Sequence, residues 1–352
     1  MPETYINLFS DTATRPTPEM RHAIANAEVG DEQRNEDPTV NALLQRVAEL
    51  LNKDQAIFLP SGTMCNQIAI RLHCRPGEEI VMEETAHARN FEAGAAAAIS
   101  GANVAVVRGH RGIFDAPALR EAIRPEGTHF PTSRLVVVEQ TSNLGGGAVW
   151  PLEALDELSD EARTHGLATH MDGARLLNAC VETGIEASRY ARDFDTAWID
   201  FSKGLGAPVG AALAGPRELM DAAWKLKHQF GGAMRQSGII AAAALYALDN
   251  HVERLAEDNR NAREFAAVIR ELDGVTVSEV ETNIVLIDLD GCGVSAGTFA
   301  RELEERGVLL SEMPGNRLRA VTHLDVPATE VRQAAERFCE VYQELVTPER
   351  AG

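Results

Sequence analysis

The sequence has little positive charge, few cysteines and no long apolar run. Across 352 residues it carries 33 Lys and Arg against 53 Asp and Glu, a formal net charge of -20. Nucleic acid and an anionic membrane both need a basic face, so neither is expected as the main partner. The five cysteines, Cys65, Cys74, Cys180, Cys292 and Cys339, are odd in number and widely spaced, with no C-x-x-C. That excludes a disulfide scaffold and a cysteine-rich zinc site, and fits a reducing compartment, expected to be cytoplasmic. The most apolar helix-like stretch, GIIAAAALYAL from Gly238, is shorter than the ~20 residues that cross a bilayer. It reads as a buried core helix. The N-terminal MPETYINLFSDTATRP has no basic region followed by an apolar one, so no secretory leader is expected. No G-x-G-x-x-G follows the first strands, which disfavours a dinucleotide site. The histidines are scattered, His170 lacks partners at ligand spacing, and no metal site is expected.

What is present is a chain with 45% hydrophobic residues, enough for a sizeable core. Its length suits two or three domains, or one large and one small. Asp37 and Pro38 offer an N-cap and a first helical residue, and Val40, Leu43, Leu44, Val47, Leu50 and Leu51 then fall on one face. Short apolar runs follow: AIFLP, EEIVM, NVAVV, RLVVVEQ, LATHM, TAWIDF and VGAALAG. The last returns parallel or antiparallel. The segment LEALDELSDEARTHG is an amphipathic helix ended by Gly166. Strands alternating with helices over ~200 residues predict an α/β domain with a mostly parallel sheet. Past Asn250 the rhythm changes. A long polar helix, HVERLAEDNRNAREFAAVIREL, precedes VTVSE, NIVLIDL, a helix near 295–306, GVLLS, RLRAVT and a last helix. That pattern predicts a smaller α+β domain. The expected division is 1–249, including an N-terminal arm without strand or helix signal, and 250–352.

One lysine interrupts the apolar stretch TAWIDFSKGLGAPVGAALAG. A lysine at a strand end ordinarily snorkels to water. Here Gly204 and Gly206 let the backbone bend and approach closely, and the neighbours are apolar. The Lys203 amine is therefore expected to be desolvated, the condition Schiff-base chemistry needs. Asp172, in HMDGARLLNA, stands where a strand ends, and α/β ligand sites cluster there. It could pair with a pyridinium nitrogen or simply cap a turn. In PSGTMCNQ, Ser61, Gly62 and Thr63 join a strand to a helix N-terminus, a natural phosphate cradle and equally a good turn. Together the three are the anchors of pyridoxal 5'-phosphate.

With these pieces in view, the chain resembles the low-specificity threonine aldolases of the β-eliminating lyase group. The likeness spans nearly the whole chain, through NLFSDTATRPTPEMR, EDPTVN, FLPSGTMCNQ, HMDGARL, FSKGLGAPVG, GGAMRQSGI and LRAVTHL. It implies the aspartate-aminotransferase-like fold (type I), a large domain with a mostly parallel seven-stranded sheet plus a smaller C-terminal α+β domain. It implies pyridoxal 5'-phosphate held by Lys203, Asp172, Gly62, Thr63, His87, Arg175 and Arg235. Lys203 would be the Schiff-base lysine, Asp172 the partner of the ring nitrogen, and His87 would stack on the ring. Arg235 would reach a phosphate, from a neighbouring subunit if sites are shared. Ser10, Arg175 and Arg319 would clamp a substrate carboxylate, a task that suits the guanidinium fork. The implied reaction cleaves a β-hydroxy-α-amino acid to glycine and an aldehyde, in a homotetramer with shared sites.

Two departures stand out. The group usually has a tyrosine and a glycine where GDEQRNEDP has Arg34 and Asn35, in a segment that reaches a neighbour's pocket. It usually has Thr-His-Asn where this chain has Thr141, Ser142 and Asn143. The missing histidine is thought to contact the substrate hydroxyl. Either the loop points away and water moves the proton, or Arg34 meets a polar or acidic substrate side chain. The same apparatus also supports β-elimination, transaldol transfer or racemisation.

Overall fold

The unbroken Val, Ile and Leu runs become strands covered on both faces, as parallel sheets require. In the computed structural model, which describes residues 5–346, seven of them form one sheet. They are β2 (Gln55–Leu59), β3 (Glu79–Glu83), β4 (Asn103–Val107), β5 (Ser133–Glu139), β6 (Ala168–Gly173), β7 (Thr196–Asp200) and β8 (Ala211–Gly215). Their order is β2-β8-β7-β6-β5-β3-β4. The pairs β4–β3, β3–β5, β5–β6 and β6–β7 are parallel. The direction left open in VGAALAG is settled: β8 runs antiparallel to both β7 and β2. The architecture is the type I fold, a large mostly parallel sheet with a further C-terminal α+β part.

That further part has its own core. Strands β9 (Thr276–Val277), β10 (Ile284–Asp288), β12 (Ser311–Met313) and β13 (Arg317–Val321) form an antiparallel sheet in the order β12-β13-β10-β9. Phe265, Phe299 and Phe338 pack at its centre. The N-terminal arm, expected to lack secondary structure, supplies β1 (Ile6–Asn7), which pairs in parallel with β11 (Val308–Leu309). Ile6 and Leu8 are buried in the same cluster as the three phenylalanines. Two residues of strand carry too short a pattern to be read from sequence, and the partner lies at the other end of the chain. Residues 1–4 and 347–352, the outer ends of the two expected domains, lie outside the described residues.

The helices follow their caps. Pro38–Leu51 begins at Asp37 and buries Val40, Leu43, Val47 and Leu51. The alanine-rich Gly238–Asn250 helix is a core helix, burying Ala241, Ala243, Ala244 and Ala247. Leu152–Thr164 ends just before Gly166, which takes φ +68. The helix expected from His251 starts later, at Leu255: residues 251–254 form a turn after the Gly238–Asn250 helix, with the His251 ring 2.7 Å from the Leu205 carbonyl. No helix among the described residues is long and apolar enough to cross a membrane.

Asp37 does more than cap. Its buried carboxylate accepts the N–H groups of Val40, Gly30 and Gly238 at 3.0, 3.1 and 2.9 Å. It thereby ties three chain segments together. Asp37→Ala would leave those donors without partners, so it should lower the unfolding free energy by at least about 2 kcal/mol in a denaturant titration.

Candidate active site

Strand register sets the centre of the site. Glu139, Asp172 and Trp198 are neighbours across the C-terminal ends of β5, β6 and β7. Register neighbours present their side chains on one face. All three line a cavity of about 190 Å³ with Ser61, Gly62, Thr63, His87, Arg175 and Lys203.

Asp172 is buried and held from two sides. Asn66 Nδ2 donates to it at 2.8 Å and the Ala174 N–H at 3.1 Å. Burial pushes its carboxyl upward, opposed by the charges of His87 and Lys203. Asn66 is itself fixed, because its Oδ1 accepts from Trp198 Nε1 at 2.7 Å and from His170 Nε2 at 3.1 Å. The second His170 nitrogen lies 2.8 Å from Thr196 Oγ1, and burial holds its pKa down at about 3. His170 is therefore a neutral strut with both nitrogens used. Asn66 Nδ2 also donates to Glu92 at 2.7 Å, and Glu92 faces His87 Nδ1 at 3.1 Å. Burial works against the His87 imidazolium, but the Glu92 hydrogen bond and the charges of Asp172 and Glu139 outweigh it and raise its pKa. One potential ligand atom each from His87, Glu92 and Asp172 falls within 4.8 Å of the others, a grouping that sequence spacing does not foreshadow. Hydrogen bonds within the group and to Asn66 account for it.

Lys203 reaches the same cavity from the loop after β7. The expected apolar surroundings are not what it meets. Asp200, one turn back, pairs with its Nζ at 3.0 Å, and the Trp198 ring lies 5.7 Å away. Asp200 is set in turn by the N–H and hydroxyl of Ser202 at 2.8 and 2.7 Å. Gly206 takes φ +78, the left-handed turn that the sequence provides for. Across the cavity begins the helix Gly62–His73, with Ser61 Oγ capping the Met64 N–H at 3.2 Å. A Cβ on Gly62 would stand 2.2 Å from Trp198, so only glycine lets this helix end approach the strand row.

The arginines divide into two kinds. Arg175 is buried and forks onto Asp11 at 2.7 and 2.8 Å. Burial works against the Asp11 carboxylate, but Arg175, Lys203 and the Asn283 amide together hold its pKa well below the usual carboxylate range. Arg319 has no acidic partner among the described residues. Its Nη1 donates to Asn143 Oδ1 at 2.8 Å, and its buried Nε has no partner. Burial first, then the Arg175 charge, pull its pKa down to about 10. Ser10 is buried beside it and accepts from the Thr12 N–H and hydroxyl at 3.2 and 2.8 Å.

Three expected site residues lie elsewhere in this chain. Arg34 is 70% exposed and pairs with Glu36 at 2.9 Å. Arg235 is 62% exposed and pairs with Asp31 at 2.9 Å. Asn35, where a glycine is usual in the group, takes φ 56, which asparagine tolerates better than most residues. Ser142 is buried, with its Oγ turned to the Gly145 N–H at 3.2 Å, away from the cavity lining.

The β-eliminating lyase family model matches residues 7–292. The chain belongs to this family. It is 40% identical over 334 residues to the low specificity L-threonine aldolase of Escherichia coli K12, covering 95% of this chain and 98% of that one. It is 35% identical over 352 residues to low-specificity L-threonine aldolase 1 of Arabidopsis thaliana, covering 98% of each. The Leishmania major threonine aldolase structure superposes with a TM-score of 0.82 over 96% of this chain and 99% of that one; at 21% identity it speaks to the fold.

The donor set fits the cofactor that the family resemblance implies. An amine, a buried carboxylate and a free helix N-terminus open on one cavity. Five residues of this arrangement were not singled out from sequence: Asp11, Asn66, Glu92, Glu139 and Asp200. Only Asp200 carried a local signal, at three residues from Lys203. The others are joined to their partners by long-range packing.

Asp11→Asn leaves the Arg175 guanidinium buried without its anion, so it should cost about 3 kcal/mol in denaturant unfolding. Because the folded pKa of Asp11 is depressed, its contribution is present above the ordinary carboxylate range and is lost as pH falls below it. The gap between wild type and Asp11→Asn should therefore close on acidification.

Proposed function

We propose that the protein is a pyridoxal-phosphate lyase that cleaves a threonine-like β-hydroxy-α-amino acid to glycine and an aldehyde. The observation that carries this reading is the pairing of two incomplete partners across one site. Lys203 and Asp172 share a cavity with a helix N-terminus, and beside it a half-buried Arg319 guanidinium lacks a carboxylate.

When bound, the cofactor supplies an electron sink for the charge left at the substrate α-carbon. Lys203 offers the amine that would hold its aldehyde, and the N–H groups of Gly62 and Thr63 its phosphate. Asp172, as a buried anion beside the ring nitrogen, would keep a proton on that atom. His87, held by Glu92 in the cavity wall, would cover the ring. Arg319 would receive the substrate carboxylate, with Ser10 alongside, and so turn the Cα–Cβ bond to the geometry in which it breaks. Arg175 forks onto Asp11 through Nε and Nη2, which steadies the 9–14 segment, and as part of the same cavity wall it would join Arg319 at the substrate carboxylate.

Arg34 and Arg235 stand on two loops locked together by a buried ion pair. Lys227 Nζ lies 2.8 Å from Glu32, which also accepts from Ser237 Oγ at 2.7 Å. Two exposed guanidinium groups on a rigid platform support the reading that they complete a neighbouring copy's site in a cytoplasmic homotetramer. Exposed pairs such as Arg34–Glu36 are weak enough to be exchanged. In that setting Arg34 would favour a polar or acidic substrate side chain.

The test is a product panel of L-threonine, L-allo-threonine, phenylserine and 3-hydroxyaspartate, scoring glycine and aldehyde together. Glycine should appear from at least one and vanish in Lys203→Ala. A cofactor-loaded protein that yields none would shift the reading to β-elimination, transaldol transfer or racemisation. Arg34→Tyr should lower the kcat/KM ratio of 3-hydroxyaspartate to threonine by about tenfold, the scale of one charged contact. An unchanged ratio would remove Arg34 from substrate choice.

A further inference from the structure

One buried acid in the cavity wall has no role in this scheme. Glu139 ends β5, is 6% exposed, and is the register neighbour of Asp172. Its two oxygens point different ways. Oε2 accepts the His87 N–H at 2.8 Å, and Oε1 accepts the Asn143 N–H at 2.9 Å. Asn143 passes the connection on, because its Oδ1 accepts from Arg319 Nη1 at 2.8 Å.

We propose that Glu139 is a positioning residue of this site: a single carboxylate fixes the backbone of His87 and of Asn143, and through Asn143 the guanidinium of Arg319. The ring-facing histidine and the carboxylate-binding arginine come from segments far apart in the chain. Glu139 is the group that both hydrogen-bond paths share.

The local chemistry leaves no simpler substitute. The short helix His87–Asn90 has Ala86 at its N-cap, with no side chain to accept an N–H. Glu139 takes over that task from another strand. Arg319 has no anion of its own, so its direction depends on neutral acceptors, and the Asn143 amide is the shortest of them. Turning that amide would turn the arginine.

Both anchors need the carboxylate form. A protonated carboxyl keeps one good acceptor oxygen, while its hydroxyl oxygen faces an N–H poorly. Burial first, and the adjacent Asp172 charge second, raise the Glu139 pKa to about 7. The N–H groups of Asn143 and His87 and the His87 charge oppose that rise. Around it stand His87, backed by Glu92, from the helix side, Asp172 and Arg175 from the β6 end, Lys203 in the same cavity wall, and Arg319 beyond Asn143. Glu83, on the adjacent strand β3, turns its carboxylate to the N–H groups of Thr85 and Gly109 instead. Site order should therefore improve as pH rises through about 7.

The proposal takes from the functional reading that the cofactor sits in this cavity beside His87 and that Arg319 receives an amino-acid carboxylate. Two arms test it and keep the two claims apart. In the first, glycine binding to the cofactor-loaded protein is followed by absorbance from pH 6 to 9. Wild type should bind more tightly as pH passes about 7. Glu139→Gln should bind about tenfold more weakly at pH 8 and lose that step, as expected when one charged acceptor is removed. Combining it with Arg319→Lys should add little to Arg319→Lys alone, since partners in one path are not additive. Full additivity, or a wild-type pH step that survives in Glu139→Gln, overturns the proposal.

The second arm uses apoprotein and no substrate. A carboxyl with a raised folded pKa lends stability that is present at acid pH and lost as pH rises through about 7. The stability of Glu139→Gln relative to wild type should climb over that interval. Parallel curves overturn the proposal even if no glycine binds. If wild type binds no glycine while the curves diverge, the substrate reading falls and Glu139 keeps its place. Should Glu139→Gln fail to fold, Asn143→Ala retains the backbone N–H and cuts the link to Arg319. It should reproduce the weak glycine binding and the missing pH step; an intact step sinks the idea.

Discussion

Burying the Asp172 carboxylate at the end of β6 is the constraint on which the rest of the site depends. A buried anion is costly unless donors meet it. Asn66 supplies one, and the asparagine must then be held so that its amide nitrogen, and not its oxygen, faces Asp172. The indole of Trp198 and the ring of His170 do this by donating to the Asn66 oxygen. His170 can donate there because burial keeps it neutral, with Thr196 facing its other nitrogen. Trp198, in turn, lies under the helix that begins at Gly62, and that contact demands a glycine. One carboxylate thus dictates a tryptophan, a neutral histidine, and an asparagine and a glycine of one helix, on three separate elements.

Among the described residues, three cations around the cavity are matched with anions and one is left over. Lys203 has Asp200, Arg175 has Asp11, and His87 has Glu92. Asp172 and Glu139 lie side by side at the strand ends, where two ionised carboxylates repel one another in a poorly solvated space. Arg319 is the cation without an anion. A site in this state favours a ligand that brings a carboxylate to Arg319 and a protonated ring nitrogen to Asp172. Arg175 belongs to the matched set, because its Nε and Nη2 form a fork with Asp11.

Much of this was legible in the sequence. Strands buried on both faces announce themselves as apolar runs, and the Asp37-Pro38 and Ser61-Gly62 starts carry their own cap chemistry. Lys203, Asp172 and the Gly62 turn could be found because each sits at a strand end with an unusual neighbour. What was not legible has a common physical cause. The Lys203 surroundings looked apolar because its counter-ion, Asp200, was counted as part of a strand. β1 is two residues long and exists only because Val308 and Leu309 lie beside it. Asn66 and Glu139 are ordinary residues in a helix and a strand, Glu92 stands in a bend, and their roles come from partners that folding supplies. Ser142 stands in a motif position, yet its hydroxyl is spent on the Gly145 N–H, so motif position alone did not tell where the side chain points.

The short segment from Ile6 to Thr14 shows why the two hydrophobic clusters act on one site. Ile6 and Leu8 are anchored in the C-terminal cluster, and Phe9 offers its carbonyl to Ser311 at 2.7 Å. Two residues on, Asp11 accepts the fork of Arg175, just past the end of β6, and accepts from Asn283 at 3.1 Å. Thr14 Oγ1 then donates to the Lys203 carbonyl at 2.8 Å. A displacement of the C-terminal cluster would thus be felt at Arg319, Arg175 and the lysine loop together. The positions of the two arginines and of the lysine are therefore set by the same few residues of chain, and a substitution that loosened β1 would disturb both at once. The arm that carried no signal of its own in the sequence is in this sense the frame of the site.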